Sequence, residues 1–272
     1  MSQPETTEPD TELPSNADKK TISKHGMDQQ VHFESIHDEY VRHYNSPEAT
    51  QFRREFIYDF LFHSLPEGVI SVADLACGAG LNSLELKKRN PLARTTGFDV
   101  SKKACRDYAR LTGEPSYQLD LTLGTYDGPQ YDVVMIFGGL HHCVSNLDGT
   151  CETIDRMLKP GGLLLSLEPN KECFLEPIRI IWYQIDRFFE RNSEAALSVR
   201  DLDNRLGRAF AREAVAYRGG PAYFLIYNSM IFRLSDRIRE LVAKPLFVIE
   251  QLYNRLPHRV FFPYFVAKWR KL

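Results

Sequence analysis

The 272-residue sequence has no CxxC pair and no group of Cys and His at zinc-site spacing. Its five cysteines (Cys77, Cys105, Cys143, Cys151 and Cys173) are scattered and odd in number, which excludes a disulfide framework and reads as reduced thiols in a cytoplasmic protein. The N-terminus lacks the apolar run that a signal peptide needs. "MSQPETTEPDTELPSNADKK" is acidic and rich in Pro, Ser and Thr, so residues 1–30 are expected to be a disordered tail. No internal repeat is visible. The net charge of −2 exerts no overall pull toward nucleic acid.

That small sum hides an asymmetry. Residues 171–272 hold 18 Lys and Arg against 11 Asp and Glu, a balance of +7, which leaves −9 on the first 170. A basic, aromatic-rich C-terminal third points to anionic partners or a membrane surface.

The pattern along the chain alternates. Two helical segments, within 31–65, precede "GVISVADLA", a short apolar run typical of a strand buried on both faces. Helix and strand then alternate: "GLNSLELKKRN", "RTTGFDVS", "KKACRDYARLTG", "SYQLDL", "YDVVMIFGGL", "GTCETIDRMLKPGG" and "LLLSLEP". This order predicts a doubly wound, mostly parallel α/β sheet.

"VADLACGAG" (72–80) then falls where the first strand hands over to the first crossover helix, the place where open α/β sheets bind ligands. Gly78 and Gly80 lack the Cβ atoms that would keep a ligand off the backbone. A dinucleotide fingerprint wants a third glycine where Ser83 stands, and Asp74 would repel a pyrophosphate but attract an amino group. The turn suits an amino-acid-like group better than two phosphates.

Taken with "GFDVS", "YQLDL", "YDVVMIFGGLHH" and "LKPGGLLLSLEP", this stretch resembles the class I S-adenosylmethionine-dependent methyltransferases over about residues 66–170. The resemblance implies a Rossmann-like, seven-stranded sheet and S-adenosylmethionine as cofactor. It implies that Gly78 and Gly80, with Ala76 between strand and turn, pass along the methionine end and that Asp74 orients its amino group. Asp99 would take both ribose hydroxyls, since a carboxylate offers acceptors to a vicinal diol. Asp120 would meet the adenine amino group, with Asp127 as a loop rival, and Leu121 would add a backbone contact. Phe137 and Gly138 would flank the base and the sulfonium. Tyr40 and Tyr44 would either close over the cofactor or simply pack.

Methyl transfer is an in-line displacement and needs a base only if the acceptor loses a proton. His142 and His141, at the tip of the fourth strand, are the first candidates for that task, or else shape the pocket; Glu168 is the next, or else caps the following helix. No "NPPY" motif marks transfer to a base or amide nitrogen, and no Asp/His set at metal spacing marks a magnesium-dependent catechol enzyme, so no metal is expected.

"PYFVAKWRK" resembles the family's last strand, giving 261–272 to the core and 171–260 to a helical cap, with 31–170 as the N-terminal helices and cofactor-binding core. The aromatic run 222–232 is too short to span a bilayer, but with the arginines after it could dock on a membrane or line an apolar cavity. The expected protein is a cytoplasmic methyltransferase, peripheral at the inner membrane face, acting at oxygen on a small-molecule or lipid-linked acceptor. An aminopropyltransferase, a non-catalytic cofactor-binding scaffold and a nicotinamide dehydrogenase are the alternatives.

Overall fold

The computed structural model describes residues 22–272 apart from 64, 187–193, 229–231 and 233. Helix α1 (Lys24–Tyr44) starts from Ser23, whose hydroxyl accepts the Gly26 N–H. Helix α2 (Pro47–Arg53) starts from Ser46, with Pro47 in the first turn, where a missing N–H costs nothing. A π-helical turn (Arg54–Tyr58) and α3 (Asp59–Phe62) follow. The tail expected over 1–30 is therefore too long: residues 24–30 are helix because Ser23 caps them. Residues 1–21 lie outside the described residues.

Seven strands form one sheet in the order β3-β2-β1-β4-β5-β7-β6. Strands β1 (Ser71–Leu75), β2 (Arg94–Asp99), β3 (Ser116–Gln118), β4 (Tyr131–Phe137) and β5 (Leu158–Pro169) run parallel. Strand β7 (Tyr264–Lys271) lies antiparallel between β5 and β6 (Phe210–Arg218). Helices α4 (Leu81–Arg89), α5 (Lys102–Thr112) and α6 (Leu147–Met157) make the crossovers.

Successive strand residues feed opposite faces, as the period of two requires. Ala73, Val134, Ile136, Leu164 and Ala267 enter one buried layer. Val72, Val133, Met135, Leu165 and Val266 enter the other. This double burial explains why the inner strands read as unbroken apolar runs.

The segment 171–260 is not a helical cap alone. It holds α7 (Glu176–Ile185), α8 (Val199–Leu206), a π-helical turn (Tyr223–Tyr227) and α9 (Asp236–Tyr253), but β6 runs through it and completes the sheet. Of the aromatic run 222–232, the first part is packed inward, Phe232 is exposed, and 229–231 lie outside the described residues. Ala222, Tyr223 and Ile226 are buried, and Tyr227 stacks on Phe52 at 5.2 Å. Among the described residues, no helix is long and apolar enough to cross a membrane.

Candidate functional site

The turn after β1 is built on left-handed backbone. Ala76 has φ +49°, Gly78 +51° and Gly80 +83°. Open space surrounds the point where a Gly78 Cβ would stand, so the ligand side of the turn is clear there. Gly80 behaves differently. A Cβ on it would meet Tyr108 Cδ2 at 2.8 Å and Thr112 Cγ2 at 2.5 Å, so it serves the packing of α4 on α5 rather than ligand approach.

Asp99 closes this turn from β2. Its Oδ2 accepts the Gly78 N–H at 3.0 Å and its Oδ1 accepts the Ser101 N–H at 2.9 Å. Burial raises its pKa, and the two amides work against that rise. Each oxygen keeps a second acceptor site. Asp120 lies across the cavity and is more heavily engaged. It accepts from the Ser23 N–H at 2.9 Å and from both the backbone and hydroxyl of Thr122 at 2.9 and 2.6 Å. These bonds hold its carboxyl below the usual range despite burial.

One cavity collects most of the expected contacts. Ala76, Gly78, Asp99, Asp120, Leu121, Phe137 and Gly138 all line it. Asp74 and Gly80 do not. Asp74 is fully buried behind the turn, where its Oδ2 accepts the Ser83 hydroxyl at 2.7 Å. Ser83 also meets the Tyr108 hydroxyl at 2.7 Å. The serine in the third-glycine position is thus the partner of the acid, and both belong to the support of the turn. Burial lifts the Asp74 pKa to about 8.

Sequence reading missed the roof of this cavity. Gln29, Phe33, Ile36 and His37 of α1 cover it, held by His37 Nε2 to Asp107 at 2.8 Å and by Gln29 Nε2 donating to the His142 carbonyl at 2.6 Å. Of the two aromatic residues expected there, Tyr44 packs edge-on to Tyr227, and the Tyr40 side chain lies outside the described residues. Beneath the roof the cavity measures about 130 Å³. Sites for drug-sized ligands are commonly about 300–1,000 Å³, so the space enclosed under α1 is small by comparison.

Beyond β4, Glu168 organises the turn that carries both histidines. Its carboxylate accepts the N–H groups of Gly139, Leu140 and His141 at 3.2, 2.8 and 3.2 Å, and pairs with His141 Nδ1 at 2.8 Å. Glu168 is fully buried and does not line the cavity. It neither faces an acceptor nor caps the next helix. Burial raises its pKa to about 7 against those donors. With Nδ1 as donor, the His141 lone pair is on Nε2. Burial first, then the charges of His142 and Arg179, drive His141 well below the imidazole range, with Glu194 opposing. His142 lines the cavity, its ring 3.9 Å from that of His141, and its Nδ1 lies 3.2 Å from Glu194 Oε1. The ligand atoms of His141, His142 and Glu194 come within 4.8 Å of one another, a metal-compatible spacing that no sequence interval betrays.

A second, apolar cavity of about 430 Å³ opens between α7 and the Tyr223–Tyr227 turn. Ile178, Trp182, Tyr223 and Phe224 line it, with Arg179 as its charge.

These features define an α/β protein with a ligand cavity at the carboxyl ends of β1, β2 and β4. Residues 73–164 match the family described as "Methyltransferase domain". Demethylmenaquinone methyltransferases of two Leptospira interrogans serovars are 34% identical over 113 residues, 38% of this chain and 45% of theirs. The chain thus spans under half the length of the curated relatives it matches. The magnesium protoporphyrin IX methyltransferase of Synechocystis, solved with S-adenosylhomocysteine, has a TM-score of 0.59 at 14% identity, covering 90% of this chain and 99% of that one. A [4+2]-cyclase has a TM-score of 0.61 at 16% identity, covering 92% and 97%. Over residues 73–164 the chain is thus similar to a methyltransferase domain, and its seven-stranded sheet has the Rossmann-like fold of these solved neighbours.

Proposed function

We propose that this chain is a methyltransferase that uses S-adenosylmethionine and methylates an oxygen of a small-molecule or lipid-linked acceptor, peripherally at the inner face of the cytoplasmic membrane. The observation that carries the reading is the single cavity lined by Ala76, Gly78, Asp99, Asp120, Leu121, Phe137 and Gly138.

The donor set fits the cofactor. Open space at Gly78 admits a ligand against the backbone, and Asp99 keeps acceptor capacity for two hydroxyls beside it. Asp120 and Leu121 would hold the adenine, and Phe137 with Gly138 would flank base and sulfur. S-adenosylmethionine, when bound, supplies an electrophilic methyl group on a positively charged sulfur. The chain's own contribution is alignment and, for a hydroxyl acceptor, removal of a proton. His142 takes that proton in this reading, Glu194 orients its ring from Nδ1, and His141, pinned by Glu168, backs it. The apolar cavity would take the body of the acceptor, since Arg179 on its wall is near enough to depress the His141 imidazole.

The rival reactions have less support. Among the described residues, Asp99 and Asp120 are the only acids lining the cofactor cavity, fewer than a polyamine would need. A nicotinamide dinucleotide fingerprint would want a third glycine where Ser83 bonds Asp74. The [4+2]-cyclase neighbour shows that this fold hosts other chemistry, so turnover decides. The test is calorimetry with S-adenosylhomocysteine, followed by incubation of metabolite and lipid extracts with methyl-labelled S-adenosylmethionine. Binding plus a labelled product is expected. No binding of either form of the cofactor, or binding with no label transferred to any extract, would sink the proposal.

A further inference from the structure

Helix α9 carries apolar residues on both its inward and its outward face. Its inward face carries Arg239 and Glu250 beside Ala243 and Phe247, all buried. Glu250 is 0% exposed and accepts the N–H groups of Gly220 and Ala222 at 2.8 and 2.9 Å. Arg239 pairs with Asp236. The outward face carries Ile238, Leu241, Val248, Ile249 and Leu252, all exposed, with Leu241 at 79%. An ordinary surface helix carries charged and polar residues on its outward face instead.

The exposed residues are ordered, not scattered. At about 100° per residue, these five and Pro245 fall within an arc of about 100°. Arg237 and Lys244 run along one border of that arc, and Arg255 continues the row just past the helix; all three are exposed. Glu240 stands one step further round. Among the described residues, fourteen of the twenty exposed large apolar side chains lie within residues 174–261, so the apolar surface is regional. Helix α7 adds Ile178, Ile181 and Ile185 to it. The two helices are tied together, because Tyr253 donates to the Phe261 carbonyl at 2.9 Å and the Phe261 ring meets Phe174, just before α7, at 6.3 Å.

We propose that the outward face of α9 docks on an anionic phospholipid bilayer. Ile238, Leu241, Val248 and Leu252 enter the boundary between headgroups and acyl chains, and Arg237, Lys244 and Arg255 meet lipid phosphates. The basic border selects this occupant. A second copy pairing antiparallel through the same stripe would bring that border against itself, whereas phosphates neutralise it. The proposal rests on the lipid-linked reading above and deepens it by giving the membrane a place on the protein.

The test uses the full chain and sedimentation with vesicles of phosphatidylcholine alone or mixed with phosphatidylglycerol. Binding should favour the anionic vesicles and weaken with salt. Leu241→Glu with Val248→Glu should lower the partition coefficient about tenfold or more. Arg237→Gln and Lys244→Gln should each lower it about fivefold. Calorimetry with S-adenosylhomocysteine on each variant should match the parent, which shows that the fold is intact. If the parent binds S-adenosylhomocysteine but not anionic vesicles, the docking proposal falls and the methyltransferase reading stands. Vesicle binding without cofactor binding reverses that outcome. Vesicle binding that ignores the α9 substitutions overturns the proposal, as does a solution dimer that Leu241→Glu dissolves without any vesicle binding by the parent.

Discussion

The turns around the cofactor cavity and the outer surface of the C-terminal third treat polar groups in opposite ways. At the cavity, buried carboxylates are spent on backbone: Asp99 takes two amides, Glu168 three amides and an imidazole, Asp120 one amide from α1 and one from Thr122. Each fixes a turn that irregular backbone alone would leave loose. In the C-terminal third, Glu250 does the same for Gly220 and Ala222, yet the helix that carries it offers Leu241 and Val248 to the outside. One region hides its charge to build a site. The other hides charge and leaves apolar surface over, and such a surplus marks a surface built to be covered.

The largest effect that would sharpen this contrast belongs to His142. His142→Ala should lower turnover about 100-fold or more, the usual reach of a general base, with S-adenosylhomocysteine affinity nearly unchanged. A variant with normal turnover would reduce His142 to a wall of the cavity. Glu168→Ala should come next, because it leaves three buried amides and the His141 ring unpaired. A loss of about 3 kcal/mol in folding stability is expected, read by denaturant unfolding. Leu241→Glu, by contrast, should stay within about 0.5 kcal/mol of the parent, as an exposed change far from such networks. Equal losses in the two variants would erase the distinction between the regions.

Asp99→Asn should weaken S-adenosylhomocysteine binding at least about tenfold while leaving the chain folded, since one charge-assisted bond is worth about 1.5–3 kcal/mol. Unchanged affinity would dissociate Asp99 from the ribose.

How much of this was legible in the sequence depended on range. Strands β1, β4 and β5 were readable because burial on both faces makes them apolar in sequence, β2 and β3 from their place in the alternation of strand and helix, and β7 from its resemblance to the family's last strand. Strand β6, "FAREAVAYR", was not: Ala, Arg and Glu favour helix, and the segment is a strand because β7 pairs with it along the sheet edge. Asp99 and Asp120 could be placed because a strand end fixes them locally. The roof of α1 and the approach of Glu194 to His142 could not, because contacts across more than fifty residues leave no interval to read. Gly80 was legible as a special position but not for its reason, which is the pressure of Tyr108 and Thr112.

The smallest predicted effect concerns Asp74, which lies behind the turn and does not line the cofactor cavity. Its folded pKa of about 8 lies above the ordinary 3.8, so the folded chain keeps a proton that the unfolded chain has lost. The stabilisation is complete below the unfolded value and is lost as pH rises toward and through about 8. Glu168 and Glu250, each raised to about 7, act in the same direction. Glu85 and Asp132, each lowered to about 2, act oppositely, but only as pH falls below about 4.5. His141, driven down by burial, acts against the acids below the ordinary imidazole value of 6.5, where only the unfolded ring takes a proton. Above about 6.5 the raised acids govern, and stability should decline toward pH 8. Asp74→Asn mimics the protonated acid and removes one of the three contributions. Melting temperatures measured from about pH 6.5 to 9 should fall less steeply in Asp74→Asn than in the parent, without becoming flat. Parallel slopes would mean that Asp74 is ionised in the folded chain and that Ser83 alone suffices to hold the charge.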